Sequence, residues 1–188
     1  MKEKIILFDS TLRDGSQAES ISYSVGDKIA ILKALDKCGI DYIESGNPGS
    51  NPKDIEFFEQ LKDVEMKHAK LCAFGSTRKS NIGVEDDRNI KAILKANTPA
   101  VAIFGKTSVF HITDIIRTTL DENLKMIEET IRYLVENGKE VTFDAEHFFD
   151  GYFLDKDYAL EVLKVAEKGG ASYLTLCDTN GGTLPFDL

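Results

Sequence analysis

The sequence predicts an α/β fold on parallel strands, and a closed (β/α)8 barrel in preference to an open, doubly wound sheet. Three observations carry this. Short apolar runs alternate with amphipathic helical patterns at roughly 30 to 40 residues per unit, the spacing of strand–helix–strand crossovers. Several runs are apolar at successive positions, as strands covered on both faces are. Every run also ends in polar or ionisable groups: Asp9, Arg13 and Asp14; Glu44 and Asn47; Ser76, Thr77 and Arg78; Lys106 and Thr107; Asp144, Glu146 and His147; Asp178, Thr179 and Asn180. A barrel brings such strand ends to one mouth, whereas an open sheet spreads them along a line. Neither GxGxxG after a strand nor GxxxxGK[ST] occurs, so dinucleotide and P-loop sites lack support.

The elements follow in order. The run "KIILF" is the first strand, and Ser24 then caps a helix with Val25, Ile29, Leu32 and Leu35 on one face and Gly39 at its end. After the strand "IDYIE", Pro52 suits a helix first turn, and Ile55, Phe58 and Leu61 form that helix's apolar stripe. "AKLCAF" is the third strand; Ile90, Ile93 and Leu94 mark the next helix, and "PAVAIF" is the fourth strand. Asp121 precedes the strongest helical pattern, with Leu124, Ile127, Ile131, Leu134 and Val135 as its stripe and Gly138 as its stop. "EVTF" is the fifth strand, "DYALEVLKVAEKGG" a helix closed by glycine, and "ASYLTL" the sixth strand. No low-complexity linker or shift in composition interrupts the chain, so residues 1–188 read as one domain.

At 188 residues and 42% hydrophobic content the chain can bury a sizeable core. It carries 23 basic against 32 acidic residues, net −9, which argues against nucleic acid or an anionic membrane as a partner. No apolar stretch has the length of a membrane span, and Asp9 ends the first run too early for a signal peptide, which points to the cytoplasm. Cys38, Cys72 and Cys177 show no CxxC spacing and are odd in number, as reduced packing thiols are.

Four segments in order give a resemblance: "TLRDGSQ" after the first strand, "DYIESGNPGSNPKD" around the second, "FDAEHFFDGY" at the fifth and "LCDTNGGTLP" at the sixth. Together they resemble the DRE-TIM metallolyase superfamily, and within it the citramalate synthase branch of the isopropylmalate and homocitrate synthases. The similarity runs from about Ile5 to Leu188. It implies a TIM barrel that condenses acetyl-CoA with a 2-oxo acid, pyruvate giving (R)-citramalate, on the route to branched-chain amino acids. It also implies a divalent metal (Mn, Mg or Zn) and a homo-oligomer. Other 2-oxo acids, as in 2-isopropylmalate or homocitrate synthases, or hydroxymethylglutaryl-CoA lyase-like chemistry are the alternatives. One departure is large. The family's seventh strand carries a His-x-His metal-ligand pair, and the only histidines here are His68, His111 and His147. The chain therefore reads as a TIM barrel truncated after about six β/α units, inactive by itself for lack of those ligands. A non-catalytic partial barrel completed by another chain is the competing class, because open barrel edges invite pairing.

The resemblance assigns Asp14 to the metal, whose cation would polarise the 2-oxo group. It assigns Arg13 to substrate and to the developing alkoxide; a structural ion pair between Arg13 and Asp14 is the plainer alternative. Glu44 ends an apolar run, where a carboxylate is costly unless paired, and Arg13 is the natural partner. Glu146 matches the family's acid–base glutamate, and Thr179 the threonine that binds the 2-oxo acid carboxylate. Gln17 contacts substrate or caps its loop. His147 reads as a hydrogen-bonded neighbour. Arg78, Lys79 and Lys106 are cations at strand ends, suited to CoA phosphates or to plain solvation.

Overall fold

Strands and helices alternate through the computed structural model, which describes residues 4–187. The strands are β1 (Phe8–Asp9), β2 (Tyr42–Gly46), β3 (Lys70–Ser76), β4 (Ala100–Lys106), β5 (Glu140–Glu146) and β6 (Tyr173–Leu176), and their order in the sheet is their order in the chain. β1 pairs in parallel with β2, β2 with β3, and β5 with β6. The helices are α1 (Val25–Lys37), α2 (Pro52–Leu61), α3 (Arg88–Ala96), α4 (Leu120–Glu136), α5 (Phe148–Leu154) and α6 (Lys156–Gly169). Consecutive parallel strands joined by helices are the fold of a TIM barrel carried through six β/α units.

The chain divides into two compact units, one of Met1–Gly75 with Ala92–Val101 and one of Ser76–Lys91 with Ala102–Leu188. In the first, Ser24 and Asp27 form a reciprocal capping box at the start of α1, and Asn51 caps α2 with Pro52 in its first turn. The buried face of α1 is Lys28, Leu32 and Asp36, spaced four residues apart, and two of the three are charged. Lys28 Nζ donates to Asp54 of α2 at 2.6 Å, and the Asp36 carboxylate accepts the main-chain N–H groups of Lys67, His68 and Ala69. Burial pushes the Asp36 carboxyl upward, but those three N–H donors outweigh it and hold its pKa below the usual value. Charge thus staples α1 where the sequence suggests an apolar stripe alone.

In the second unit, α4 is capped by Thr119, two residues before Asp121, and buries Ile127, Ile131 and Leu134. Asp155 caps α6, and Gly170 ends it in the left-handed region at φ 100°. Gly151 permits a close approach: a Cβ there would lie 2.8 Å from the carbonyl oxygen of Thr107.

Several expectations change. The first strand is shorter than "KIILF", and Ile5 to Phe8 are exposed, because among the described residues β1 has a sheet neighbour on one side only. β6 is exposed along its whole length for the same reason. On α2 the buried pair is Phe57 and Phe58, while Ile55 faces outward; on α4 Val135 is exposed. The short helix α5 is not foreseen.

Candidate active site

In the first unit the turn after β1 is built before its charges are presented. The Asp9 carboxylate accepts both the main-chain N–H and the hydroxyl of Thr11, the N–H groups of Arg13 and Gly15 converge on Ser10 O, and Leu12 is fully buried. That anchors the residue on each side of Arg13. Its Nε donates to Glu44 Oε2 at 2.6 Å, its Nη1 donates to Asp14 Oδ1 at 3.0 Å, and its Cζ stands 3.9 Å from the ring centroid of Phe74 on β3. Glu44 is supplied by β2 just where the β2–β3 register shifts, a bulge that re-aims the strand end. With its side chain 1% exposed, Glu44 is the buried carboxylate that its apolar setting implies, and Arg13 is its partner. Arg13 is therefore fixed on two edges and one face.

Arg13 opens into a cavity of about 370 Å³ shared with Gln17, Asn47, Lys28, Asp54 and Phe74. Its lining is mostly hydrogen-bonding, so it suits a small polar molecule. Gly46, at φ 130°, forms part of the wall, and a side chain there would meet the Asp54 carboxylate at 3.4 Å.

The Asp14 side chain is 65% exposed, and it is ion-paired with Arg13. Among the described residues no three His, Cys, Asp or Glu side chains gather into a group that holds a metal ion. One exposed carboxylate already engaged by a guanidinium does not fit a divalent cation by itself.

In the second unit β4 delivers Lys106 and β5 delivers Glu146, which form an ion pair. The main chain behind Lys106 is held by Asn123 Nδ2, which donates to Lys106 O at 2.9 Å and to Tyr158 Oη at 3.0 Å. Tyr158 in turn donates to Leu120 O, and burial pushes its pKa up to about 12, so it remains a neutral donor. Beyond β4 a single π turn, His111–Ile115, carries His111, whose imidazole stacks on that of His147 at 3.9 Å between centroids and 14° between planes. Burial, with the nearby His147 and Lys106, lowers the His111 pKa and favours its neutral form.

His147 caps α5 in the left-handed region (φ 56°, ψ 37°), uncommon for a residue other than glycine. Its main-chain N–H donates to Thr179 Oγ1 at 2.9 Å, and its ring Nδ1 meets Asp150 Oδ2 at 3.1 Å. The loop after β6 folds on the Asp178 carboxylate, which accepts the N–H groups of Thr183 and Gly182; the Thr183 bond is the chief reason its pKa lies low. Asn180 from that loop donates to Asp150 at 2.7 Å.

Arg13, Asp14, Glu44 and Gln17 thus meet in one unit, and Glu146, His147 and Thr179 in the other. Arg78 departs from its reading as a mouth cation. It is buried, with Glu122 and Glu129 each 2.8 Å away; burial opposes its charge, yet the two carboxylates prevail and raise its pKa. Lys106 likewise has its own carboxylate, whereas Lys79 is exposed. Sequence reasoning passed over Phe74, His111 and Asp150. The last had a local signal, three residues after His147 at helical spacing; the other two are neighbours made only by folding.

Comparisons with known proteins bear on the family and the fold. The (R)-citramalate synthase of Aquifex aeolicus (strain VF5) is 55% identical over 188 residues, all of this chain and 36% of that protein. The (R)-citramalate synthase of Geobacter sulfurreducens is 50% identical over 182 residues, 97% of this chain and 34% of that protein. The chain therefore spans about a third of the length of these curated relatives. Among solved structures, the HMG-CoA lyase of Bacillus subtilis superposes with a TM-score of 0.77 at 18% identity, covering 99% of this chain and 62% of that one, a likeness of fold. The HMGL-like family model matches residues 4–188, and the chain belongs to the HMGL-like family.

Proposed function

We propose that the protein carrying this chain condenses acetyl-CoA with pyruvate to (R)-citramalate, releasing CoA. The observation that supports this most is the Arg13 guanidinium, clamped between Glu44 and Phe74 and presented to a polar cavity. Carbon–carbon bond formation at a 2-oxo group turns its carbonyl oxygen into an alkoxide. A preorganised cation stabilises that charge without reorganising when it appears. Glu44 fixes the plane of the guanidinium, and Gln17 from the same cavity is a substrate contact.

Glu146 is the acid–base group. Its carboxylate takes a proton from the acetyl methyl group of acetyl-CoA, and the carbanion attacks C2 of the 2-oxo acid. Protonation of the alkoxide and hydrolysis of the thioester complete the reaction. The ammonium of Lys106 is the ion-pair partner that holds the Glu146 carboxylate in place. Thr179 binds the carboxylate of the 2-oxo acid through its hydroxyl. In this reading a divalent metal would take Asp14 as one oxygen ligand, with its other ligands supplied from outside the described residues. The exposed β1 and β6 edges are, in the same reading, covered by further strands of one eight-stranded barrel domain, in a cytoplasmic homo-oligomer. Among the described residues no helix is long and apolar enough to cross a membrane.

The test is thiol release. The full-length protein is incubated with acetyl-CoA, divalent metal and, separately, pyruvate, 2-oxoisovalerate and 2-oxoglutarate. Pyruvate-dependent release of CoA with citramalate as product is expected. Release with another 2-oxo acid alone moves the assignment to that acid, and no release with any of them overturns it.

A further inference from the structure

A strained residue of the second unit lies beside the residue proposed to hold the substrate carboxylate. His147 is left-handed at φ 56°, a conformation that is unfavourable for a non-glycine residue and persists where its surroundings enforce it. The enforcing contacts are visible. Asp150 Oδ2 accepts from Nδ1 of the imidazole, and the same oxygen accepts from Asn180 Nδ2. The opposite constraint is the stack on His111. The backbone so held sends one N–H toward Thr179 Oγ1 and the next, that of Phe148, to Cys177 O at 3.2 Å. Two consecutive amides from the start of α5 therefore tie the loop that follows β6.

The bond to Thr179 has a chemical consequence. A hydroxyl has one proton to give and lone pairs to accept with. With Oγ1 accepting the His147 amide, the hydroxyl proton turns away from that amide, and the hydroxyl is committed as a donor. A donor is what a carboxylate needs. A threonine without that amide spreads its hydroxyl over rotamers in which it accepts as often as it donates.

Resting on the reading of Thr179 given above, we propose that His147 is a positioning residue: locked by Asp150 and Asn180, it aims its main-chain N–H at Thr179 and so orients the threonine hydroxyl toward the carboxylate of the 2-oxo acid. Neither Asp150 nor the His147 ring is required to touch substrate. The side chains act through one backbone amide.

The experiment uses the full-length enzyme with pyruvate and acetyl-CoA varied separately. Thr179→Val sets the reference and raises KM for pyruvate about tenfold or more. Asp150→Ala frees the His147 ring and raises KM for pyruvate about fivefold, with KM for acetyl-CoA within about twofold of wild type. Asp150→Asn, whose amide oxygen can accept the same two hydrogens, recovers most of that loss. In the Thr179→Val background, Asp150→Ala adds nothing further. Should Asp150→Ala fail to fold, Asn180→Ala removes one of the two locks and is expected to move KM for pyruvate in the same direction by a smaller factor.

The outcomes separate. If Thr179→Val leaves KM for pyruvate unchanged, the reading of Thr179 falls and the proposal with it. If Thr179→Val acts as expected but the Asp150 and Asn180 variants raise both KM values equally, or lower kcat alone, the positioning role is overturned while the role of Thr179 stands. Additive effects in the double variant overturn it as well.

Discussion

The two strand-end clusters solve different problems with similar residues. In the first unit, one guanidinium is held by a carboxylate whose side chain is 1% exposed, by an aromatic face and by a second carboxylate. In the second, Lys106, Glu146, His111, His147 and Asp150 are only partly covered, and hydroxyl and imidazole groups carry movable protons. A charge fixed on a buried carboxylate and an aromatic face stabilises charge that appears during reaction, because nothing has to turn when it does. A partly wet chain of donors and acceptors suits proton transfer, where groups must change state. On the proposed function, electrostatics falls to the first cluster and proton handling to the second.

The largest expected effect tests the first half of that division. Arg13→Lys keeps a cation but loses the planar fork that meets Glu44 and Asp14 along two edges. We expect kcat/KM of the full-length enzyme to fall by about 10² to 10³-fold. Arg13→Met goes further, leaving Glu44 buried without its guanidinium, and should lower stability by about 3–5 kcal/mol. A lysine variant within about tenfold of wild type would show that charge alone suffices and that the clamp is incidental.

The second half is broken by Glu146→Gln. The substitution keeps shape and a hydrogen bond to Lys106 but removes the proton acceptor, so kcat should fall by about 10²-fold or more. Loss of deuterium exchange into the acetyl methyl group of acetyl-CoA, followed by NMR, is the readout that separates proton removal from later steps. Stability should change by less than about 1 kcal/mol, because both side chains of this ion pair are partly solvated. If exchange survives in Glu146→Gln, the base lies elsewhere and the division fails on this side.

Much of the first cluster was legible in the sequence, because its logic is local. An acid at the end of an apolar strand demands a cation, and "TLRDG" offers one at the end of the preceding strand. The clamp's third side was not legible: Phe74 lies in an apolar strand among other apolar residues, and only the fold brings its ring under Arg13. The second cluster was less readable. Nothing near "TSVFH" announces that His111 will stack on a residue 36 positions later. Arg78 was misread for a related reason: its two carboxylate partners lie on α4, more than forty residues away, and periodicity says where a helix is buried but not what its polar edge will meet. The same limit applies to Ile5–Phe8 and to β6, whose apolar sequence predicts burial that the described residues do not supply.

Phe74→Leu sharpens the comparison at smaller scale. Leucine preserves apolar packing but removes the ring face 3.9 Å from the guanidinium. A cation–π contact in a partly desolvated site contributes about 1–2 kcal/mol, which here should appear as a loss of roughly fivefold to thirtyfold in kcat/KM. Catalysis should suffer more than folding does, since Glu44 and Asp14 still hold the arginine. An unchanged kcat/KM would leave the first cluster as an ion pair with an aromatic neighbour rather than a three-sided clamp.

The smallest effect is one of pH, and it belongs to the second cluster. Burial of His111, with the charges of His147 and Lys106 nearby, holds its pKa below the ordinary value of 6.5, while Glu146 and Asp150 pull weakly the other way. The folded state therefore keeps His111 neutral in a range where the unfolded chain protonates it. Below about pH 6.5 the unfolded state binds more protons at this residue, so stability falls with pH from there down to the folded pKa. His111→Phe keeps an aromatic ring against His147 and cannot titrate. Urea midpoints measured from pH 7 to pH 5 should fall less steeply in this variant than in wild type. Parallel midpoint curves would mean that the imidazole is as free to charge in the folded protein as in the unfolded chain, and the stacked pair would then be no drier than the surface around it.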